Sequence, residues 1–195
     1  MLLQTSMPTK SFCRPARARH SRFRGFSLIE LVVTVAVLAI LAGIAVPSFQ
    51  TMILNSRMTA QSNAFLGALQ LARAEAVKRG VTVSVCKSAN GTACTTSGGW
   101  QQGWIVFVDG GTLASVSGGD VILQVYQALG GNSTLSGATA VENAVTFRST
   151  GYTTLAASPN AIAVTLCPPS PAQVPGRVIQ VTPSGRSSIV QATCS

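Results

Sequence analysis

The chain has 195 residues, of which 47% are hydrophobic and only 10% charged. These values exclude a disordered, charge-rich polymer and suit one modest domain joined to an apolar segment. The formal net charge of +9 invites a nucleic-acid partner, but six of the 14 basic residues (Lys10, Arg14, Arg17, Arg19, Arg22 and Arg24) precede Gly25 without an acid among them, so that from Phe26 onward 8 basic and 5 acidic side chains leave only +3.

Residues 1–25 are Arg-rich, contain Pro8 and Pro15, and read as a basic leader that is removed or unstructured. Residues 26–46 form an apolar run whose one charge is Glu30, close to the ~20 residues a helix needs to cross a bilayer. The basic leader keeps its own side cytoplasmic while the C-terminal part crosses. A carboxylate inside such a segment is costly and calls for a partner, although four residues into the helix it can also snorkel to the interface. A cleaved secretory signal is the alternative, with AGIAVPS (residues 42–48) offering small residues for a cleavage site.

Pro47 cannot donate to the carbonyl of Gly43, itself a poor helix former, so these two residues are expected to be a weak point or a simple bend. Beyond them Met58, Phe65, Leu69, Ala72 and Ala76 recur at helical spacing, with Leu66 and Val77 alongside. Gly80 after Lys78 and Arg79 is a C-terminal cap. The helix is therefore expected from about Ser27 to Arg79, with a transmembrane half over 26–50 and an amphipathic half over 51–80.

From Val81 the period changes to two. VTVSVCK, GWIVFVD, VILQVYQ, AVTFRS, AIAVTLC, GRVIQVTP and GRSSIVQA read as strands separated by Gly- and Pro-rich turns. Asp109-Gly110 and the TPSG stretch at 182–185 mark tight turns. The fold class expected is α+β: a long N-terminal helix packed on an antiparallel β-rich domain over 81–195.

Cys13 falls in the leader; Cys86, Cys94, Cys167 and Cys194 follow the apolar run. An even four in a domain facing an oxidising compartment predicts two disulfides. Three connectivities are open; Cys86–Cys94 with Cys167–Cys194 is favoured because each joins neighbouring segments, with roughly 2.6 and 3.6 kcal/mol from loop closure. The alternatives are buried free thiols or zinc, but the chain has no C-x-x-C pair and its only histidine is His20, so no metal and no cofactor are expected.

Catalytic chemistry is expected to be absent. With His20 in the leader, a serine or cysteine nucleophile lacks a base. The acids beyond the apolar run (Glu75, Asp109, Asp120 and Glu142) are not closely paired in sequence, and no phosphate-binding glycine loop is present. Trp100 and Trp104 flank Gln101-Gln102-Gly103 and can either stack a ligand or fill a core.

The stretch RGFSLIELVVTVAVLAILAGIAVPSFQ resembles the type IV prepilin signal: a basic leader ending in glycine, then phenylalanine, then glutamate as the fifth residue of the mature chain. LARAEAVKRGVTVSVC, GWQQGWIVFVD and GRVIQVTPSGR look like the FimT/FimU/GspH group of minor pilins and pseudopilins, loosely between 110 and 175. The resemblance implies cleavage between Gly25 and Phe26 by a prepilin peptidase, N-methylation of Phe26, and storage in the bacterial inner membrane with the β-domain periplasmic. It implies assembly with other pilins in a filament, Glu30 facing the N-terminal amine of a neighbour. FimT/FimU-type members prime or tip type IV pili; GspH-type members cap the pseudopilus of type II secretion and often lack cysteines. Some FimT-like pilins bind DNA through a Gly-Arg-x-Arg loop. Here Gly185-Arg186-Ser187-Ser188 lacks the second arginine, which Arg177 and Lys87 are candidates to replace in space.

Overall fold

The computed structural model describes residues 25–155, 162–171 and 174–194; of the expected leader only Gly25 is among them. The chain divides into two units, one ending at Gly43 and the other beginning at Ile44. One helix, α1 (Leu28–Arg79), contributes to both and includes Pro47.

In the second unit α1 supplies one wall of the core. Met58, Ser62, Phe65, Leu69, Ala72 and Ala76 are buried, in alternating steps of four and three residues that keep them on one face. Leu66 is half-buried. Val77, expected beside the stripe, is instead 54% exposed, because one residue past Ala76 lies about 100° further round the helix. Gly80 ends the helix at φ +68°, a left-handed conformation that costs glycine little, and Val81 N–H returns to Ala76 O at 3.2 Å.

Eight strands follow: β1 (Val83–Lys87), β2 (Trp104–Val108), β3 (Val121–Tyr126), β4 (Thr134–Gly137), β5 (Ala144–Phe147), β6 (Ile162–Cys167), β7 (Gly176–Val181) and β8 (Ser187–Ala192). They form two four-stranded sheets, ordered β3-β2-β1-β5 and β4-β6-β7-β8, and every pairing is antiparallel. Seven strands coincide with the apolar runs; β4 has only Leu135 buried among its four residues and left no alternating pattern to read.

Alternate residues of both sheets meet the helix stripe. Val83, Val85, Val106, Val145 and Phe147 come from the first sheet, and Leu135, Val164, Leu166, Ile179 and Val181 from the second. Phe65 stands edge-on to Trp100 and Trp104, centroids 5.0 and 5.2 Å away, the arrangement aromatic quadrupoles favour. Trp100 Nε1–H donates to Val141 O at 3.0 Å, and Trp104 stacks on Tyr126. Both indoles are at most 1% exposed, so they anchor the core and offer no platform to a ligand. The opposite face of the first sheet carries a smaller cluster, Cys86, Ile105 and Phe107, roofed by Cys94, Val116 and Ile122.

Candidate functional site

Gly25, Phe26 and Ser27 precede the first helical turn and are exposed. Ser27 caps it: its Oγ accepts the N–H of Glu30 at 3.3 Å, and its carbonyl accepts Leu31 N–H at 3.2 Å. Glu30 is thus the third helical residue, where a carboxylate complements the helix dipole. Sequence reasoning passed over Ser27, although Ser27-x-x-Glu30 has the capping-box spacing. That cap keeps the Gly25–Phe26 bond outside the helix and fixes where along it Glu30 projects.

Beside and beyond Glu30 the helix surface is apolar and uncovered. Leu28, Ile29, Leu38 and Ile40 are 82%, 67%, 63% and 66% exposed, and α1 is long and apolar enough to cross a membrane. So much apolar surface requires lipid or protein as its medium. Nothing lies within 4 Å of where a Cβ on Gly43 would sit. The helix continues through both Gly43 and Pro47.

The four cysteines form Cys86–Cys94 and Cys167–Cys194 bridges. The first ties β1 to the 88–99 loop, and Lys87 holds the same loop from beneath. Lys87 is 1% exposed, and its Nζ donates to Thr96 O at 3.2 Å and Gly98 O at 2.8 Å. Buried and engaged, it has no surface to offer a phosphate. Its position at the end of a strand gave no sign of burial.

Arg177 and Arg186 lie at opposite ends of the β7–β8 hairpin. Arg177 is committed to acceptors: Nη1 donates to Pro175 O and Gly176 O, and Nη2 reaches Asn55 Oδ1 at 3.3 Å. Arg186 is exposed and lines a cavity of about 670 Å³ with Arg73, Lys78, Gln70 and Ser187. Among the described residues lining that cavity none is acidic. Arg73 Nε donates to Gly151 O at 3.1 Å, fastening α1 to the turn beside Gly185. Glu75 is the nearest acid in sequence; the hydrogen bond from Arg79 holds its carboxyl below the usual range, and Lys78 adds a 3.7 Å contact.

The family described as Type II transport protein GspH matches residues 61–185, and the prokaryotic N-terminal methylation motif matches residues 20–46. Fimbrial protein Q of Moraxella bovis is 35% identical over 102 residues, 49% of this chain and 64% of that protein's length. The crystal structure of the type IV minor pilin FimU of Pseudomonas aeruginosa superposes with a TM-score of 0.50 at 24% identity, covering 72% of this chain and 90% of FimU. The architecture of one long helix on antiparallel sheets is therefore pilin-like.

Proposed function

This chain belongs to the Type II transport protein GspH family, and from that membership we propose that it is a structural, membrane-anchored minor pilin of the FimT/FimU type that helps initiate or cap a type IV pilus. The observation that carries the reading is a helix that starts at Leu28, two residues past Phe26, presents Glu30 in its first turn, and continues exposed and apolar. A prepilin peptidase cuts between Gly25 and Phe26 on the cytoplasmic side and methylates the new amine. Because the cut precedes the apolar run, the anchor is retained, and residues 51–195 stay periplasmic until assembly.

Glu30 then drives and registers assembly. An unpaired carboxylate in a low-dielectric medium is heavily penalised, and the amine of a neighbouring subunit recovers much of that cost. Pro47 leaves the Gly43 carbonyl without its helical donor, so residues 43–47 are where α1 yields during packing. The paired cysteines and the similarity to Fimbrial protein Q support a pilus over the alternative, a GspH-type pseudopilin of type II secretion. Deleting the gene and scoring surface pili against secreted protein separates these two. Glu30→Ala is expected to insert in the membrane yet stay out of filaments; normal incorporation contradicts the pairing mechanism.

A DNA-binding role is the second reading, favoured by the cavity that Arg186 shares with Arg73 and Lys78. Each phosphate neutralised steepens the salt dependence. A mobility-shift assay on the detergent-solubilised chain tests it, and no shift at low salt removes it.

A further inference from the structure

Among the described residues the two sheets present four edge strands, and three are blunted. β3 bulges where its register slips opposite Val106 and Phe107. β5 has four residues, and Phe147 bridges to Thr153. β4 also has four, and Gln101 Oε1 accepts its Leu135 N–H at 3.2 Å. β8 has six residues in unbroken register with β7 and contains neither proline nor charge. Sheet edges left this plain pair readily with another chain.

The ladder shows which groups of β8 have no partner strand among the described residues. Thr182 N–H donates to Arg186 O at 2.9 Å, and hydrogen-bonded pairs alternate along an antiparallel ribbon. With Gln180 opposite Ser188 and Val178 opposite Val190, the backbone groups of Ser188, Val190 and Ala192 turn to β7. Those of Ser187, Ile189 and Gln191 point outward. Val190, 42% exposed, adds apolar contact surface. At its Ser187 end this edge opens on the cavity of Arg73, Lys78 and Arg186. A guest strand running antiparallel to β8 brings its C-terminal end to those three cations.

We propose that β8 captures, by antiparallel strand addition, an extended segment of a partner protein that is uncharged and β-branched along its length and acidic at its C-terminal end. Main-chain hydrogen bonds supply the affinity and carboxylates in the cavity fix direction and register. A second copy of this chain is the poorer guest, since residues 184–194 bring no acidic side chain to the cations. This capture does not depend on cleavage at Gly25.

The test is fluorescence anisotropy on the full chain in detergent, with a labelled peptide of three Thr-Val repeats followed by two glutamates. Replacing the glutamates by lysines is expected to weaken binding about tenfold, and Arg186→Glu to reverse that preference. Gln191→Pro removes an outward N–H that β7 does not use, and is expected to weaken binding about fivefold, near one net hydrogen bond. The same peptide N-methylated at alternate residues is expected not to bind, which decides the matter even if the proline variant misfolds. Failure of the glutamate peptide to bind at low salt overturns the proposal, as does equal binding of its N-methylated form, which reduces the effect to plain charge attraction. A dimer of the chain that Gln191→Pro dissociates overturns the choice of guest.

Discussion

Replacing Phe65 by alanine probes the joint between α1 and the sheets most severely. Its ring is fully buried and meets Trp100 and Trp104 edge-on at 5.0 and 5.2 Å. Truncating a buried phenylalanine costs about 3–5 kcal/mol, aromatic contacts included. At about 2–4 °C per kcal/mol for a domain of this size, the melting temperature should fall by roughly 6–20 °C. Tryptophan fluorescence during thermal unfolding of the detergent-solubilised chain reads the change at the two indoles that lose their neighbour. Val77→Ala is the control: exposed and off the stripe, it should stay within about 0.5 kcal/mol of the parent. Equal melting temperatures for Phe65→Ala and Val77→Ala would refute the assignment of the buried helix face.

Three further outcomes follow from the β-domain. Paired Cys→Ser replacement should cost roughly 2.6 kcal/mol at Cys86/Cys94 and 3.6 at Cys167/Cys194 by loop closure, with denaturant midpoints falling in that order; the reverse order would point to native-state contacts instead. Lys87→Ala strands the carbonyls of Thr96 and Gly98 and should cost about 2–4 kcal/mol, with hydrogen exchange rising first over residues 88–99; unchanged exchange there would deny Lys87 its holding role. The Asp120 carboxyl is held below the usual range, first by the Gly110 N–H and then by the N–H and hydroxyl of Ser117. A lowered folded value means its contribution is complete above the unfolded value of ~3.9 and is lost as pH falls through the folded one. Amide protection at Ser117 should fall across that acid range and become flat with Asp120→Asn; an unchanged pH profile in the variant would exclude Asp120 as the cause.

Much of the fold was legible because burial imposes a period. Met58, Phe65, Leu69, Ala72 and Ala76 stand at helical spacing, and the seven strands other than β4 alternate or run apolar between glycine and proline turns. β4 escaped because four residues with one buried side chain carry no period. The division into two sheets escaped too, since strand order is set by pairing between distant segments that no local pattern records. At the head of α1, Gly25, Phe26 and Glu30 stood out because a lone acid in an apolar run is conspicuous, whereas Ser27 looked like one more small polar residue. Lys87 misled: lysine usually marks solvent, and only the folding-back of the 88–99 loop brings two carbonyls to its ammonium. Arg73 lies in the helical run, but its place beside Arg186 depends on a contact between residues far apart in sequence.

In the proposed pathway the apolar helix is kept while the basic leader is removed, exposing an amine at Phe26 for Glu30 of a neighbour. Intact mass of the protein purified from membranes tests it most directly. A chain that begins at Phe26 and carries one extra methyl group is the predicted result. A chain that retains residues 1–25, or one that begins after residue 46, would contradict it.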